Sequence, residues 1–419
     1  MSLWRNGDFL RLWSAQTISQ LGSQITLLAL PLAAIIVLDA SAFQVAALGA
    51  VEWLPWLLFS LPAGAWVDRL PRREVLVVTD LGRAVALLSI PLAYALDALT
   101  LWQLYGVGFL VGVLTVFFDV AYVAYLPSLV ERRQLGEANA RLETTRSAAQ
   151  LGGPGLAGLL VQLFSAPVAI LADAVSFVLS ALFLFRIRGR EEVRERGAGT
   201  RLVAEVGEGI GFVLGHPYMR PSMGFVATSN FFYNVMFSIF LVYAVRSLDL
   251  DPAKIGLVFA LGNIGVLAGA LLATRVGALL GVGPTIVVTA FMLGWPTLLI
   301  PAAPADYAIP IFVAVLAVVG FCGVVTNVLG ISLFQATTPD RLQGRAAASR
   351  RLVNLGVIPL GSLAGGGLAS TIGLRETLWV GAVGATLAFL PLLFSPIRHV
   401  REVPEEEPEI SLPGPVPIA

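Results

Sequence analysis

Three chemically reactive residue types are nearly absent from this chain of 419 residues. Cys322 is the only cysteine, which excludes an intrachain disulfide and a metal cluster built on cysteines. The only lysine, Lys254, follows Ala253, so no Walker A phosphate-binding loop exists and the chain cannot itself be an ATP-driven pump. The two histidines, His216 and His399, fall outside the long apolar runs, which excludes a histidine proton relay inside a membrane.

Charged residues are also scarce. They make up 13% of the chain against 57% hydrophobic residues, and the mean hydropathy is +0.83, far outside the range of soluble proteins. The composition therefore predicts an all-α polytopic membrane protein. Apolar runs of roughly 20 residues between charged or Pro/Gly breaks predict twelve transmembrane helices, near 12–38, 43–67, 74–97, 101–128, 137–164, 167–186, 218–245, 253–280, 284–303, 307–335, 342–371 and 376–397.

The arginines are distributed unevenly between the two sides of this predicted bundle. Most of them fall in the loops on the side that holds both ends of the chain, whereas the opposite loops carry mainly acids. Because short cytoplasmic loops are rich in Lys and Arg, we expect both termini in the cytoplasm. The arginines on that side are Arg5, Arg11, Arg69, Arg72, Arg73, Arg132, Arg133, the six from Arg186 to Arg201, Arg275, Arg341, Arg345, Arg398 and Arg401.

The longest hydrophilic break divides the predicted helices into two groups of six. The first half covers 1–186 and the second covers 218–397, with a linker at 187–217 and a Glu- and Pro-rich tail at 398–419. We expect the tail to be disordered. Within the linker, apolar residues recur at helical spacing and predict an amphipathic helix on the membrane surface, although its glycines also suit a disordered linker. These apolar residues are Leu202, Val206, Ile210 and either Val213 or Leu214.

The two halves share an internal repeat at the start of their fifth helices. Two arginines, an amide, a leucine and a glycine recur at one constant offset, which indicates two related six-helix units. The first copy is Arg141, Arg146, Gln150, Leu151 and Gly152, and the second is Arg345, Arg350, Asn354, Leu355 and Gly356.

The loop after the second predicted helix carries the sequence Gly64, Asp68, Arg69, Arg72 and Arg73. This pattern resembles the loop between helices two and three of the major facilitator superfamily, with Pro71 where the family often has Gly. An ordinary cluster of positive charge at a membrane exit is the alternative. The resemblance implies two six-helix halves around a central cavity that opens alternately to each side. These five residues, with Arg141, Arg146, Arg345 and Arg350, would then form a cytoplasmic gate.

The fifth predicted helix contains a second family-like segment. Gly153, Pro154 and Gly158 resemble the Gly-Pro signature of superfamily exporters, although small residues for helix packing give a similar pattern. Pro154 cannot donate a hydrogen bond within its turn, so the helix can flex there. The stretches 9–23, 118–121, 125–129 and 173–177 resemble the bacterial enterobactin-exporter-like and macrolide-efflux-like branch, which implies a bacterial cytoplasmic membrane.

Three acids inside apolar spans are candidates for proton coupling. An ionisable side chain in a membrane span costs free energy, so its presence there indicates a function. Asp119 and Asp173 fall near the middle of their spans, and Glu52 lies further toward the outside. Each has a structural alternative. Asp119 could pair with Arg83 or the 68–73 loop, Asp173 could form a hydrogen bond between packed helices, and Glu52 could reach the outer interface.

Aromatic and amide side chains within the spans suit an amphipathic organic substrate, although aromatics also face lipid. The candidate substrate-binding residues are Trp53, Trp56, Tyr122, Asn230, Tyr233, Asn234, Phe237, Asn263 and Asn327.

The sequence and its resemblance together predict a monomeric, proton-coupled exporter (an antiporter) of amphipathic or hydrophobic small molecules such as drugs or siderophores. Its partners would be that substrate, protons and membrane lipids, with no nucleic acid, metal or cofactor. A lipid or lysolipid carrier is the alternative within transport, and a receptor that transports nothing is the alternative outside it. An enzyme is disfavoured because His-Glu-x-x-His and Gly-x-Ser-x-Gly are missing.

Overall fold

The computed structural model describes residues 3–188, 207 and 211–402, and these residues form helices and connecting turns without a β-strand. Twelve long helices follow one another along the chain, and short helical turns extend three of them: Ala33–Val37 after α1, Trp295–Leu298 and Leu299–Ala302 after α9, and Leu390–Leu393 after α12. The long helices are α1 (Gly7–Leu32), α2 (Ala42–Val67), α3 (Arg72–Ala95), α4 (Leu101–Leu129), α5 (Leu135–Leu163), α6 (Ala166–Phe185), α7 (Met219–Arg246), α8 (Pro252–Leu280), α9 (Val282–Gly294), α10 (Ala308–Thr337), α11 (Asp340–Ile372) and α12 (Leu374–Leu387).

The prediction of an all-α membrane protein is confirmed. Eleven of these helical segments are long and apolar enough to cross a membrane. The remaining helix, α5, has 29 residues but carries two acids and two arginines in its first three turns. It packs between α1 and α8, while Glu137, Glu143 and Arg146 in its first turns are exposed.

Local side-chain chemistry sets where several helices begin and end. The Asn6 side chain accepts hydrogen bonds from the first backbone amides of α1, and Ser41 forms a reciprocal capping box with Gln44 at the start of α2. An aspartate with positive φ follows α1, α3 and α7, at 47°, 50° and 49°. Asp tolerates this left-handed conformation, so Asp39, Asp97 and Asp249 can close tight turns there.

We name the two sides of the bundle by the ends of the chain. The terminal face is the side where α1 begins and α12 ends, and the far face is the opposite side. At the terminal face the Asn6 amide donates to the Leu129 carbonyl at the end of α4, with 2.8 Å between the two atoms. In the second half, the Gly283 amide at the start of α9 donates to the Val400 carbonyl after α12, at 2.7 Å.

The hydrophobic cores differ between the two faces. Toward the far face, one cluster contains residues of both halves, including Leu30 and Leu48 with Ile239 and Ile255. Toward the terminal face, the first half (α1–α6) and the second half (α7–α12) have separate clusters. The halves are therefore joined near the far face and not near the terminal face.

Two predictions concern segments that are only partly described. Leu202, Val206 and Ile210 of the predicted linker helix lie outside the described residues, as does the tail beyond residue 402. Val213 is described, and its side chain is buried against the second half with Met219 and Phe334. Leu214, the other candidate for this position, is exposed, so the amphipathic helix on the membrane surface stays a prediction.

Candidate transport site

An ion pair joins the two halves at the far face. The Arg246 guanidinium, at the end of α7, lies 2.5 Å from the Asp39 carboxylate in the turn between α1 and α2. The same guanidinium donates to the Ala40 carbonyl at 3.0 Å. This contact was missed in the sequence analysis because it joins loops more than 200 positions apart, although opposite charges in the sparsely charged far loops were a usable signal.

The exporter-like segment forms a close helix crossing just below that ion pair. Gly158 of α5 lies against Gly256 and the Pro252 carbonyl of α8, and a Cβ added at Gly158 would be 2.9 Å from the Gly256 Cα. The Pro154 carbonyl faces Gly256, and Gly153 packs against Gln24 of α1. Small residues are needed here because the backbones of α5 and α8 touch.

A hydrogen bond continues this crossing toward the middle of the bundle. Asn263 of α8, predicted to bind substrate, donates from its amide to the Gln150 carbonyl of α5, at 2.6 Å. In this conformation Asn263 therefore joins the two halves. Asn263 has no other hydrogen bond among the described residues.

The contact between α2 and α11 is close toward the far face. Gly366 lies against Phe43 and Ala46, and a Cβ at Gly356 would be 3.7 Å from Leu57. A Cβ at Gly64 of α2 or Gly344 of α11 would meet nothing within 4 Å. Together with the separate hydrophobic clusters of the two halves toward the terminal face, these contacts indicate that the halves separate there.

The family-like loop at the end of α2 contacts α4 and α6 of the first half. Asp68 is 3.8 Å from Arg72, which also donates to the Ala124 carbonyl of α4 at 3.3 Å. Arg73 donates to the Leu184 and Phe185 carbonyls at the end of α6. Arg69 is exposed. The loop thus fixes α2 and α3 to α4 and α6.

The arginines of the internal repeat have different surroundings in the two halves. Arg141 pairs with Glu137 and lies over the Trp4 ring at 4.1 Å, so it holds the start of α5 within the first half. Arg146 is more than half exposed and is 3.8 Å from Glu143. Arg345 also has an interaction partner.

Arg351 of α11 reaches the first half. Its guanidinium carbon lies 5.5 Å from the centre of the Trp56 ring on α2. Its neighbour Arg350 faces its own half, 5.7 Å from the Phe334 ring. The internal repeat marks Arg350 and not Arg351, because a repeat identifies a position in the chain and does not indicate which side of the helix faces the partner.

The three candidate acids lie in different environments. Asp119 of α4 is half-buried, and the positive charges that act on it are Arg83, Arg146 and Arg351. Glu52 of α2 is also half-buried and packs over Gly108 of α4, with 3.2 Å between the Glu52 Cγ and a Cβ built at Gly108. Within the described part of the chain, neither carboxylate has a hydrogen bond or an ion pair.

Asp173, in contrast, is buried between α1 and α6. It accepts hydrogen bonds from the Thr26 hydroxyl at 2.5 Å and from the Ser176 hydroxyl at 3.0 Å. This is the packing arrangement that the sequence left open as its alternative. Nearby, Arg83 pairs with Asp80, as expected for an arginine three residues after an aspartate, and its guanidinium lies between the rings of Phe118 and Phe177.

Four of the charged groups lie at one level of the bundle. Each is ten or eleven residues, or roughly 15 Å, from the terminal-face end of its helix. Arg83, Asp119 and Arg146 belong to the first half, and Arg351 belongs to the second. Asp119, Arg146 and Arg351 therefore lie at one level along the bundle, and the buried Arg83 lies at the same level inside the first half.

The predicted substrate-binding residues do not form one cluster. Tyr233 stacks on Phe237, which contacts Phe259 of α8, and Asn234 lies beside Gly361 of α11. Tyr122 is half-buried and stacks on Phe118. Trp53 is exposed.

Asn230 and Asn327 do come together, in a cavity of about 320 Å³ inside the second half. Arg350 and Asn354 also line it, and the Asn230 amide donates to the Asn354 carbonyl oxygen at 2.7 Å. All of the lining residues belong to the second half or the segment just before it. No group of three or more metal-ligating side chains occurs in the described ranges.

Comparison with known proteins agrees with this architecture. The chain is 26% identical to the multidrug efflux pump Tap of Mycolicibacterium fortuitum, over 94% of this chain and 98% of that protein. It is 22% identical to macrolide efflux protein A of Streptococcus pyogenes, over 94% and 97% of the two chains.

Among solved structures, a bacterial homologue of the iron transporter ferroportin in its inward-facing state superimposes with a TM-score of 0.73, at 19% identity and over 94% of this chain and 99% of that chain. A bacterial ferroportin homologue in its outward-facing state superimposes with a TM-score of 0.59, at 18% identity and over 92% of this chain and 98% of that chain. The family profile described as transmembrane secretion effector matches residues 1–416. The chain is therefore a multi-pass membrane transporter that belongs to the transmembrane secretion effector family of the major facilitator superfamily.

Proposed function

We propose that the chain exports amphipathic small molecules in exchange for protons, with its terminal face in the cytoplasm. The observation that carries the proposal is that two half-buried carboxylates, Asp119 and Glu52, have no hydrogen bond or ion pair among the described residues, in a protein whose halves have separate hydrophobic clusters toward the terminal face. The excess of arginine on that face supports the orientation. The efflux relatives support the direction of transport, and the better fit to an inward-facing transporter agrees with a cavity that faces the cytoplasm.

Transport would proceed by alternating access. Substrate enters from the cytoplasm while Asp39 and Arg246, and the Gly158 crossing, close the far face. For release, these far-face contacts break and the terminal ends of α2 and α11 approach each other. The cytoplasmic gate would then use Gly64, which has free space around it in the present conformation, and the charges of the 68–73 loop with Arg345.

Asp119 is the proposed main proton carrier. It has no hydrogen-bonded partner among the described residues, and its charged neighbours include Arg146 and Arg351, which belong to different halves. When the halves move, Arg351 is drawn toward or away from Asp119, so the cost of ionising the carboxylate changes with conformation. That dependence is what couples proton binding to the direction in which the cavity faces.

Glu52 is the second proposed carrier, or a site for the positive charge of a cationic substrate. It lies about four turns from the terminal-face end of α2, deeper in the opening than Asp119. We assign Asp173 a packing role because the Thr26 and Ser176 hydroxyls each donate to it. For the substrate, Trp56, Tyr122 and the Tyr233–Phe237 pair offer aromatic surface, which suits drugs and siderophore-like molecules with an apolar body.

The proposal can be tested in everted membrane vesicles that contain the protein. Ethidium and radiolabelled erythromycin are the probes, and respiration generates the proton gradient. We expect uptake into the vesicles that collapses with a protonophore and is absent in Asp119→Asn, whose amide keeps the shape but cannot titrate. Glu131→Gln, which removes an exposed carboxylate paired with Arg133, is the matched control and should transport normally.

Two results would count against this function. Uptake that a protonophore leaves unchanged would exclude proton coupling. Transfer of a fluorescent lysolipid across the membrane, without transport of ethidium or erythromycin, would instead identify a lipid carrier.

A further inference from the structure

The cavity inside the second half contains a positive charge that no described residue neutralises. Arg350 lines the cavity, and no carboxylate in the described part of the chain forms an ion pair with it. We propose that this cavity binds an organic anion with a compact apolar body, and that Arg350 holds the anionic group. The inference concerns binding alone and does not depend on proton-coupled export.

The internal repeat makes this charge informative. In the first half, Arg146 is accompanied by Glu143 one turn earlier, at 3.8 Å. The position that matches Glu143 in the second half is Ala347, so the acid has no counterpart there. The second half therefore has the arginine but not the acid, and a ligand can supply the negative charge that pairs with Arg350.

The polar wall of the cavity suits an anionic group. Arg350 supplies a fork of donors, and such donors form their strongest hydrogen bonds with charged oxygens. Because Asn354 accepts from Asn230, its own NH₂ group remains a donor on the same wall. The other polar residues of the lining are Tyr218, Ser222, Ser229, Thr326 and Asn327.

The rest of the wall is apolar. Phe225 and Leu333 are buried core residues of the second half, and they line the cavity with Ile286, Leu293 and Leu392. At about 320 Å³, the volume is at the lower end of the range for small-molecule sites. It fits an aromatic or short acyl body better than a macrolide or a whole phospholipid.

The same anionic chemistry could reach the cavity from two sources. Most of the lining positions belong to the terminal-face half of their helices, so a soluble carboxylate or sulfonate could enter from the side to which the protein opens. The phosphate group of an anionic lipid in the adjacent leaflet has similar chemistry. The experiment must separate these sources.

Binding of two probes with the same apolar body tests the proposal directly. The probes are 1-naphthoate and neutral 1-naphthylmethanol, measured by titration calorimetry on the full chain in nanodiscs of phosphatidylcholine. We expect the carboxylate to bind at least about tenfold more tightly, as for a charge-assisted hydrogen bond. Arg350→Gln should remove this preference, and Arg350→Lys should keep part of it.

The matched control is Arg220→Gln. Arg220 is exposed on the first turn of α7 and does not line the cavity, so its loss changes the net charge equally but should leave the preference intact. If Arg350→Gln does not fold, Asn354→Leu serves as the second variant, because it removes the neighbouring donor and should weaken naphthoate binding only.

Nanodiscs that also contain phosphatidylglycerol distinguish the sources. Competition between this lipid and naphthoate would identify a lipid phosphate as the occupant, and undiminished binding would identify a soluble anion. Equal affinity for the two probes in the unmodified protein, or equal loss of affinity in Arg220→Gln and Arg350→Gln, would overturn the assignment.

Discussion

Replacing Gly158 with Ala should shift the protein away from the conformation described here. The added methyl group would be 2.9 Å from the Gly256 Cα and 3.1 Å from the Gly256 amide nitrogen, and it would overlap the Pro252 carbonyl. These are backbone atoms, so no side chain can rotate to make room. The crossing of α5 and α8 must therefore open, and with it the far-face closure of the two halves.

The expected size of the shift follows from the cost of overpacking. Adding a methylene-sized group to a well-packed contact costs about 1–3 kcal/mol. If this cost falls only on the conformation closed at the far face, the ratio of open to closed molecules rises about 5- to 150-fold.

Two neighbouring glycines of α5 provide a graded control series. A Cβ at Gly155 would be 3.5 Å from the Ala260 Cβ, an ordinary contact, and a Cβ at Gly152 would meet nothing within 4 Å. Alanine at Gly155 should therefore have a small effect and alanine at Gly152 none. All three variants differ from the parent by one methyl group in the same helix.

The assay is a spin-label distance across the far face. Labels at Ala98→Cys and Ala305→Cys, in a Cys322→Ala background, report on exposed loops of the first and second half. Gly158→Ala should move the distance distribution to longer values, with Gly155→Ala close to the parent. A distribution for Gly158→Ala that matches Gly152→Ala, in a folded protein, would refute the assignment of this crossing as the far-face closure.

Three further predictions concern charge. Asp39→Asn and Arg246→Ala should each open the far face by no more than about fivefold in the same spin-label measurement, because an ion pair this exposed is worth under about 1 kcal/mol. Asp68→Asn should impair transport with little loss of protein from the membrane, and normal transport would remove Asp68 from the gate. Burial lowers the pKa of His216 below its usual value of 6.5, so the neutral ring contributes stability that is present above pH 6.5 and is lost as pH falls below it, where the unfolded chain binds the proton more readily. The melting temperature should therefore decrease between pH 7.5 and 5.5, and the decrease should be smaller in His216→Asn.

Much of the fold could be predicted from the sequence because the membrane imposes strong rules on composition. Long apolar runs indicated the helices, including α5. The Gly153–Gly158 segment, which resembles an exporter signature, lies at a close helix crossing, although the sequence could not tell that α8 is its partner.

The site was harder to predict because its residues come from distant parts of the chain. Arg350 and Arg351 are adjacent on α11, yet one faces the cavity of its own half and the other faces Trp56 of the first half. Neighbouring positions on a helix point about 100° apart, so the two arginines face different surroundings. Which side of α11 faces the first half is determined by how the helix packs, and the sequence does not show this. The same limit applies to Asp119 and Asp173. The sequence predicts that both are buried acids, but among the described residues only Asp173 accepts hydrogen bonds.

The central claim, that substrate movement is exchanged for protons, can be measured most directly in proteoliposomes that contain the pH indicator pyranine. Valinomycin and potassium hold the membrane potential at zero, and erythromycin or ethidium is added outside. We expect substrate entry to raise the internal pH, because each substrate molecule that enters is exchanged for protons that leave. Asp119→Asn should abolish this pH change. Substrate entry at the normal rate with no change in internal pH would contradict the account.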